Sequence, residues 1–258
     1  MGVVNITPDS FADAGSVFDT ERALARARQF IADGADIIDI GGESTRPGAA
    51  PVTEQEELAR VIPVVRALAS QGACVSVDTC KPAVMRASID AGASMINDVR
   101  ALAAPGALQA LAQSDAAVCL MHMQGEPRTM QVAPLYADVL AEVGGFLAAR
   151  AAACVAAGIA RERIVVDPGF GFGKALAHNL ALIRDLPRIA ALGYPVLAGL
   201  SRKSMLGTLT GRDVGERMVA SVAAALAAIA RGASIVRVHD VRETVDALRV
   251  WQAVNQVN

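Results

Sequence analysis

Polar residues that could bind a small molecule follow short apolar runs at many distant points of the chain. These residues are Asn5, Asp39, Asp78, Asn97, His122, Asp167, Ser201, Lys203, Arg237 and His239. Carboxylates and amides together can hydrogen-bond a flat heterocycle that carries N–H, amino and carbonyl groups. Lysine, arginine and histidine, with Arg46, offer cations for an attached anion. The residue types therefore predict a site for a planar polar ring linked to a phosphate or a carboxylate.

Lysine is used sparingly, and its placement supports such a site. The three lysines of the chain are Lys81, Lys174 and Lys203, and each lies just after a predicted strand. Arginine supplies the other 21 of the 24 basic residues. All three lysines are therefore expected at the edge where the polar residues gather.

Several of these polar residues have simpler structural interpretations. Thr79 and Asp240 are predicted to be helix N-caps, and Asp98 fits either a cap or a site residue. His122 is interpreted as a hydrogen-bonded histidine near the core. Gly171–Lys174 resembles a phosphate loop only weakly, because it lacks the GxxxxGK[ST] spacing. No metalloprotease motif or catalytic-triad spacing indicates hydrolysis by a protein nucleophile.

A recurring phrase predicts the elements that position these residues: a helical stretch, then Gly-Ala, an apolar run and a polar residue. It occurs at 34–39, 92–97 and 232–237. The glycine suits the residue after a helix, and the apolar run suits a strand buried on both faces. Strands are predicted at 2–6, 36–40, 73–78, 94–98, 116–121, 163–167, 195–199 and 234–238.

A helical segment follows each predicted strand, which makes eight βα units. That number predicts a (β/α)₈ TIM barrel of one domain spanning residues 1–258, with an open doubly wound sheet as the structural alternative. In a barrel the polar strand ends would share one rim. Thr53 with Glu56 and Asp213 with Glu216 have capping-box spacing. Apolar stripes are predicted at Leu24, Ala27 and Ile31, at Leu58, Val61, Val65 and Leu68, and at Val219, Val222 and Leu226.

Composition narrows the classes of protein further. The chain has 258 residues, of which 53% are hydrophobic, and its net charge is −2. Without a basic stripe, a nucleic-acid partner is not expected. The apolar stretch 218–230 is shorter than the roughly 20 residues that span a membrane, so no membrane partner is expected either. Four cysteines without metal-like spacing suit a cytoplasmic setting.

Eight motifs together resemble the dihydropteroate synthase family and occur in that family's order over almost the whole chain. They are Asn5-Ile-Thr-Pro-Asp-Ser-Phe11, Asp39-Ile-Gly-Gly-Glu-Ser-Thr-Arg-Pro-Gly48, Ser76-Val-Asp-Thr79, Ile96-Asn-Asp-Val99, Leu120-Met-His-Met-Gln-Gly125, Asp167-Pro-Gly-Phe-Gly-Phe-Gly-Lys174, Ser201-Arg-Lys-Ser204 and Arg237-Val-His-Asp240. One motif alone would be weak evidence, whereas eight in register make chance similarity negligible.

The resemblance implies a TIM barrel that condenses 6-hydroxymethyl-7,8-dihydropterin pyrophosphate with 4-aminobenzoate and releases pyrophosphate, in a family that is a sulfonamide target. It implies that Asp78, Asn97, Asp167 and Lys203 hold the pterin, with Lys203, Asp78 and Asp167 as the catalytic residues. Arg237 would stack on the ring and help to bind phosphate, and His239, Thr45 and Arg46 would bind the pyrophosphate. Phe11, Pro47, Phe172 and Ser204 would form the 4-aminobenzoate slot.

The resemblance also implies Mg²⁺ as a cofactor, with Asn5 contacting it, and a homodimer formed through late helices such as 219–230. The alternative function is a corrinoid methyltransferase that uses methyltetrahydrofolate and shares the barrel and the acids. Ser-Thr-Arg-Pro-Gly, Ser-Arg-Lys-Ser and Arg-Val-His argue against it, because that enzyme needs no pyrophosphate site. A non-catalytic pterin-binding barrel is a further alternative of a different class.

Overall fold

The structure is a computed structural model that describes residues 1–6, 16–44, 51–125, 130 and 133–255. In this part of the chain, eight short parallel strands alternate with helices. The strands are β1 Gly2–Asn5, β2 Ile38–Gly41, β3 Val75–Asp78, β4 Met95–Asp98, β5 Ala117–Met121, β6 Ile164–Asp167, β7 Leu197–Ala198 and β8 Ile235–Val236. Each lies within its predicted range or extends at most one residue beyond it, so all eight strand predictions are confirmed.

The helices fill the connections between the strands. They are α1 Ser16–Ala32, α2 Glu54–Ala69, α3 Pro82–Asp90, α4 Ala107–Ala112, α5 Val139–Ala156, α6 Leu176–Arg184, α7 Leu186–Ala190, α8 Ser204–Thr210, α9 Met218–Ile229 and α10 Val241–Asn255. The predicted capping box at Thr53 is present: the side chains of Thr53 and Glu56 each accept from the other's backbone N–H.

The strands close into a barrel. β1 to β6 form one parallel sheet in chain order, and β7 pairs with β8. The two pieces join where Val166 bridges to Val196 and where Gly2 bridges to Val238. Val166 donates its backbone N–H to Pro195 at 3.0 Å, and Val3 donates to Val238 at 3.0 Å. This closure confirms the (β/α)₈ prediction over the open sheet.

Side-chain alternation along the strands separates two apolar layers. Outward-facing residues such as Ile38, Val77 and Ile96 pack against the helices in the large core. A smaller cluster joins residues from five strands and the residues just before β1 and β2, which can meet only inside the barrel. Its members are Met1, Met95, Cys119, Val165 and Leu197, with Ile37, Ala117 and Ile235 packed against them. This cluster is the apolar floor of the barrel interior.

Two helix predictions are wrong in detail. The capping box predicted at Asp213 is absent: Asp213 precedes a 3₁₀ turn, Val214–Glu216, and its side chain makes no capping hydrogen bond. α9 begins only at Met218, and its buried residues are Ser221, Ala225 and Ala228. The predicted stripe therefore does not form the buried face, and Val219 is 72% exposed. Small residues face the barrel because the helix packs closely on it.

The α1 and α2 stripes are confirmed for the most part. Leu24 and Ala27 are buried, but Ile31 is exposed and the neighbouring Phe30 takes its place in the core. In α2, Val61, Val64, Val65 and Leu68 are all buried. A helix pattern predicts a face to within about one residue, because 3.6 residues per turn leaves the edge of the stripe ambiguous.

α5 is the one described helix that is long and apolar enough to cross a membrane. It connects β5 to β6, and Val143, Leu147, Ala151 and Cys154 on one face are fully buried. Length and composition alone are weak evidence for a span, since the core helix of a barrel passes the same test.

Candidate active site

A polar layer lies directly above the apolar floor. On four strands, the residue two positions after a floor residue is polar: Asp39 follows Ile37, Asn97 follows Met95, Asp167 follows Val165 and Arg237 follows Ile235. Because alternate residues of a strand face the same side, all four point into the barrel. Asp78 joins this layer because β3 and β4 pair it with Asn97. The prediction of a shared rim is confirmed.

Arg237 connects the layer. Its Nε donates to Asp39 Oδ2 at 2.6 Å, and its Nη2 donates to Asp78 Oδ2 at 2.8 Å. The amide of Asn97 donates to the same Asp39 oxygen at 3.2 Å. Burial works against the charged guanidinium, but Asp39 and Asp78 more than offset it and raise the pKa of Arg237. Four strands thus meet in one network of charges.

The two predicted ring-binding carboxylates are both buried. Burial raises the pKa of Asp78 to about 7, although the nearby Arg237 opposes the rise. Burial also raises the pKa of Asp167, against the Gly169 N–H, which Asp167 Oδ1 accepts at 2.7 Å, and against Lys203. Carboxylates held in this way favour a ligand that brings its own N–H donors, because such donors replace the water lost on burial.

Lys203 lies close to Asp167 and above an aromatic ring. Its Nζ is 4.1 Å from the centroid of Phe172, a cation–π distance. Burial lowers the pKa of Lys203 to about 8, and the charge of Asp167 resists this. Arg202, just before it, has a φ of 59° and pairs with Asp240. A non-glycine residue in this left-handed region is costly and is typical of functional sites.

Lys174 stabilises the loop from β6 to α6 through hydrogen bonds. Its buried Nζ lies within 3.3 Å of four acceptors: the carbonyls of His122, Gly169 and Phe172, and His122 Nδ1. Burial lowers the pKa of Lys174 to about 7 and that of His122 to about 3. The interpretation of His122 as a structural histidine is confirmed. Lys174 was expected at the rim but does not reach it.

One glycine of this loop cannot be replaced without moving the backbone. Gly169 has a φ of +68°, and a Cβ there would lie 1.9 Å from the carbonyl oxygen of His122. The loop turns sharply at this point because only glycine allows both the conformation and the close approach. The turn places Phe172 beneath Lys203.

His239 and Asn5 lie at the same rim. Ser201 Oγ is 3.0 Å from His239 Nδ1 and accepts the His239 backbone N–H at 3.2 Å, so it holds both the ring and the backbone. A Cβ at Gly41 would lie 3.1 Å from Asn5 Oδ1, and the missing side chain leaves that amide room. Asn5 pairs with Gly41, which in turn pairs with Asp78.

Lys81 does not join the polar layer. It forms ion pairs with Glu43 and with Glu57, which is 1% exposed, and Glu43 Oε1 accepts the N–H of Val52 at 3.1 Å. These contacts tie the end of β2 to the start of α2. The expectation that all three lysines gather at the rim is therefore correct only for Lys203.

The three predicted caps behave differently. The N-cap residue of α3 is Lys81, so the N-cap prediction for Thr79 is wrong; Thr79 Oγ1 accepts the Lys81 N–H at 3.2 Å. Asp98 accepts the N–H groups of Arg100 and Leu102 at 2.8 Å each, which is a structural role. Asp240 immediately precedes α10, but its side chain pairs with Arg202.

The structure places the predicted site residues unevenly. Asp78, Asn97, Asp167, Lys203 and Arg237 come together, with Phe172 beside Lys203 and the exposed Ser204 at the start of α8. Phe11, Thr45, Arg46 and Pro47 lie outside the described residues. Asp39 is among the polar strand ends that the sequence predicts, but the resemblance assigns it no role in the site. A charged residue within an apolar strand indicates a buried carboxylate that has partners, since buried carboxylates require them.

Comparison with known proteins identifies the class to which this barrel belongs. The family model of pterin-binding enzymes matches residues 1–239. The chain therefore belongs to the pterin-binding enzyme family.

Within that family the chain is similar to dihydropteroate synthases. It is 55% identical over 259 residues to the dihydropteroate synthase of Neisseria meningitidis serogroup C, and the match covers 98% of this chain and 92% of that protein. The similarity favours the first predicted function over the methyltransferase.

Solved structures give the same result. A Yersinia pestis dihydropteroate synthase with a sulfonamide drug complex has a TM-score of 0.95 and 50% identity, covering 100% of this chain and 94% of that one. The Xanthomonas albilineans dihydropteroate synthase with 4-aminobenzoic acid has a TM-score of 0.94 at 55% identity, covering 100% and 93%. The same enzyme with 7,8-dihydropteroate has a TM-score of 0.91 at 52% identity, covering 100% and 94%.

Proposed function

We propose that this protein is a dihydropteroate synthase, which joins 6-hydroxymethyl-7,8-dihydropterin pyrophosphate to 4-aminobenzoate and releases pyrophosphate. The observation that carries this function is the convergence of Asp78, Asn97, Asp167, Lys203 and Arg237 inside the mouth of the barrel. Membership of the pterin-binding family and similarity to enzymes solved with 4-aminobenzoic acid and 7,8-dihydropteroate support it.

The acids and the amide bind the ring. Asp78 and Asp167 accept hydrogen bonds from ring N–H and amino groups, and Asn97 can both donate and accept. Each charge-assisted contact of this kind contributes roughly 1.5–3 kcal/mol. Because these residues are at most 8% exposed, water competes weakly for the same groups. Lys203 binds a ring carbonyl or nitrogen next to Asp167.

The cations act on the leaving group. Arg237 and His239 both lie just after β8, where they can bind the pyrophosphate. Thr45 and Arg46 are assigned to it by resemblance. The C–O bond between the pterin methylene carbon and the pyrophosphate breaks, and its electron pair leaves with the pyrophosphate. The arylamine nitrogen then attacks the methylene carbon and loses a proton to water. Fixed positive charge stabilises the departing anion.

The two carboxylates have a second role in the reaction. Loss of pyrophosphate leaves the pterin ring electron-poor, and the negative charges of Asp78 and Asp167 stabilise it. Lys203 holds the ring in line with the leaving group and limits the repulsion between the two acids. No covalent intermediate with the protein is needed, so this arrangement requires no activated nucleophile.

Phe172 and Ser204 are assigned to the 4-aminobenzoate slot, together with Phe11 and Pro47. Phe172 lies under Lys203, and Ser204 is the next residue along the chain, so both stand beside the ring-binding group. An aromatic side chain and a hydroxyl suit a flat benzoate with a polar end.

Magnesium is the proposed cofactor, and one residue of the rim, Asn5, offers an oxygen ligand for it. Among the described residues, no cluster of three histidine, cysteine or acidic side chains could hold a metal. Mg²⁺ commonly takes only one or two protein oxygens and fills its shell with phosphate and water, so the Asn5 amide oxygen suffices. When bound, the ion would neutralise pyrophosphate charge.

Assignment to the cytoplasm, without a nucleic-acid or membrane partner, is also a proposal. The four cysteines Cys74, Cys80, Cys119 and Cys154 are all free, which suits a reducing compartment. The net charge of −2 gives no electrostatic reason to bind a nucleic-acid backbone.

One assay tests the function directly. Purified protein, the pterin pyrophosphate, 4-aminobenzoate and Mg²⁺ should yield dihydropteroate and one equivalent of pyrophosphate. Omission of either organic substrate should abolish the product, and a chelator in excess should reduce it sharply. Release of pyrophosphate without 4-aminobenzoate consumption would contradict the synthase assignment. Full activity in the chelator would contradict both the requirement for Mg²⁺ and the assignment of Asn5 to the metal.

A further inference from the structure

Asp39 is a fully buried carboxylate in the same polar layer as Asn97 and Arg237. It lies on β2, beside Val3 of β1 and Ser76 of β3. Of the two acids that Arg237 contacts, Asp78 is the more accessible, because it is 8% exposed whereas Asp39 is 0% exposed. We expect a substrate that enters from the mouth to contact Asp78 and not the Asp39 oxygen that Arg237 and Asn97 already engage.

Both partners of Asp39 belong to the proposed substrate site. Arg237 Nε and Asn97 Nδ2 donate to the same oxygen, Oδ2, at 2.6 and 3.2 Å. The other oxygen, Oδ1, is buried and has no hydrogen-bond partner among the described residues. A carboxylate with an unsatisfied buried oxygen costs stability. Packing alone would favour an apolar side chain at this position.

Arg237 contacts two acids, and a substrate can replace only its contact with Asp78. Its Nη2 occupies Asp78 Oδ2, the acid assigned to ring N–H groups. A ring that binds Asp78 competes with this contact. The Nε contact is a separate hydrogen bond to the fully buried Asp39, so it can hold Arg237 while Asp78 changes partner.

We propose that Asp39 is a positioning residue that holds Arg237 and Asn97 in place, so that Asp78 can exchange Arg237 for the substrate ring. This inference rests on the proposed function. Asp39 does not touch the substrate, and it acts through Arg237. A purely structural Asp39, which only neutralises a buried arginine, would affect folding but not the binding of the pterin substrate.

The test compares four variants with the wild type by substrate kinetics and by calorimetry with the pterin pyrophosphate: Asp39→Asn, Ser76→Ala, Arg237→Met and the double variant of Asp39 and Arg237. Asp39→Asn is nearly isosteric and should lower kcat/KM for the pterin substrate about tenfold to a hundredfold, the range for one charge-assisted contact. Its KM for 4-aminobenzoate should stay within about twofold of the wild-type value. Ser76→Ala is the matched control, because Ser76 is the neighbour of Asp39 on β3, is buried, and its hydroxyl has no hydrogen-bond partner in the described part of the chain.

The double variant separates positioning from direct contact. In an Arg237→Met background, adding Asp39→Asn should change the pterin affinity by less than about twofold, because the residue through which Asp39 acts is gone. The double variant removes both members of the Asp39–Arg237 pair, and Arg237→Met alone is its reference. Asp78 lacks Arg237 in both variants, so that loss cancels in the comparison, which does not require Asp39→Asn alone to fold. A further large loss in the double variant would overturn the proposal, as would wild-type kinetics in a folded Asp39→Asn.

Failure of the proposed function is distinguishable from failure of this inference. If the wild type makes no dihydropteroate, the function is wrong whatever Asp39 does. If the wild type is active but Asp39→Asn and Ser76→Ala are equally active, the function stands and the positioning role of Asp39 is wrong.

Discussion

Lys203, Lys81 and Lys174 follow strands in the same way, yet their surroundings give them three different roles. Lys81 joins Glu43 and Glu57 beside the barrel, and Lys174 is enclosed by carbonyl groups below the rim. Lys203 lies above Phe172 and next to Asp167. The sequence placed all three near strand ends, but only the packing of neighbouring loops decides which of them faces a ligand.

Replacement of Lys203 tests the catalytic role of that residue. Lys203→Ala removes a cation from a buried site and should lower kcat/KM for the pterin substrate by roughly a hundredfold or more. Arg212→Ala is the matched control, because it also removes one positive charge but pairs only with the exposed Glu216. Steady-state kinetics at saturating 4-aminobenzoate measure the effect. Equal activities for the two variants would refute the role of Lys203.

The raised pKa of Asp78 predicts a pH dependence of substrate binding. Burial raises this pKa to about 7, so the carboxylate gains a proton as the pH falls through that value and loses an acceptor for the ring. Pterin affinity should therefore weaken from pH 8 to pH 6. Calorimetry over this range, corrected for the titration of the ligand itself, measures it, and a flat profile would contradict the assignment.

Stability should respond in the opposite sense. Because the folded pKa of Asp78 is raised above its ordinary value of 3.8, its contribution to stability is complete below that value. It is lost as the pH rises through about 7. Weaker binding at pH 6 would therefore not result from the titration of Asp78 destabilising the fold.

At the scale of elements, strands and their polar ends were predictable, while loops and helix faces were less so. Buried parallel strands leave a strong signal, since apolar runs alternate with helices at regular spacing. The stripe on α9 failed because that helix presents Ser221, Ala225 and Ala228 to the barrel, and small residues carry almost no periodic signal. Side chains alternate between the two faces of a strand, and this alternation predicts that Asp39 and Asn97 point into the barrel.

The β6–α6 loop should depend on Lys174 for its shape. Lys174→Met keeps a long apolar stem but leaves the carbonyls of His122, Gly169 and Phe172 without their donor. The free energy of unfolding should fall by about 3 kcal/mol, and kcat should fall because Phe172 no longer supports Lys203. Urea denaturation and kinetics measure both effects. Arg184→Met, at an exposed position, should change neither; a Lys174→Met variant as stable as wild type would contradict this account.

At the scale of the whole molecule, the barrel itself could be predicted, but the ion pairs and hydrogen bonds inside it could not. Eight alternating units imply closure, and closure implies a common rim. The contact of Arg237 with Asp39 joins residues 198 positions apart, and nothing in a single sequence marks such a pair. Thr45 and Arg46, which the resemblance assigns to the pyrophosphate, lie outside the described residues, so their roles stay predictions.

The homodimer expected from the resemblance is also a prediction. α9 and α10 form a groove of about 410 Å³ lined by Leu226, Ala247, Val250, Trp251, Val254 and Asn255. Exposed apolar surface of this kind is typical of an interface. The protein should sediment as a dimer, and Val250→Asp should shift it to monomer. Val155→Asp, at an exposed valine on α5, should remain dimeric; a monomeric wild type would refute the prediction.

The two unequal pieces of the barrel wall divide the site by charge. The acids and Asn97 stand on the continuous six-stranded sheet, while Lys203 and Arg237 follow β7 and β8, a two-residue pair attached by single bridges on either side. Both strands are only two residues long and are linked to β6 and to β1 by single bridges, so their amides should exchange with deuterium faster than those of β2 to β5. The two strands that precede the cations are a quarter of the barrel wall, and we expect them to open locally while the six-stranded sheet stays closed. Such local opening would let pyrophosphate leave without unfolding of the six-stranded sheet.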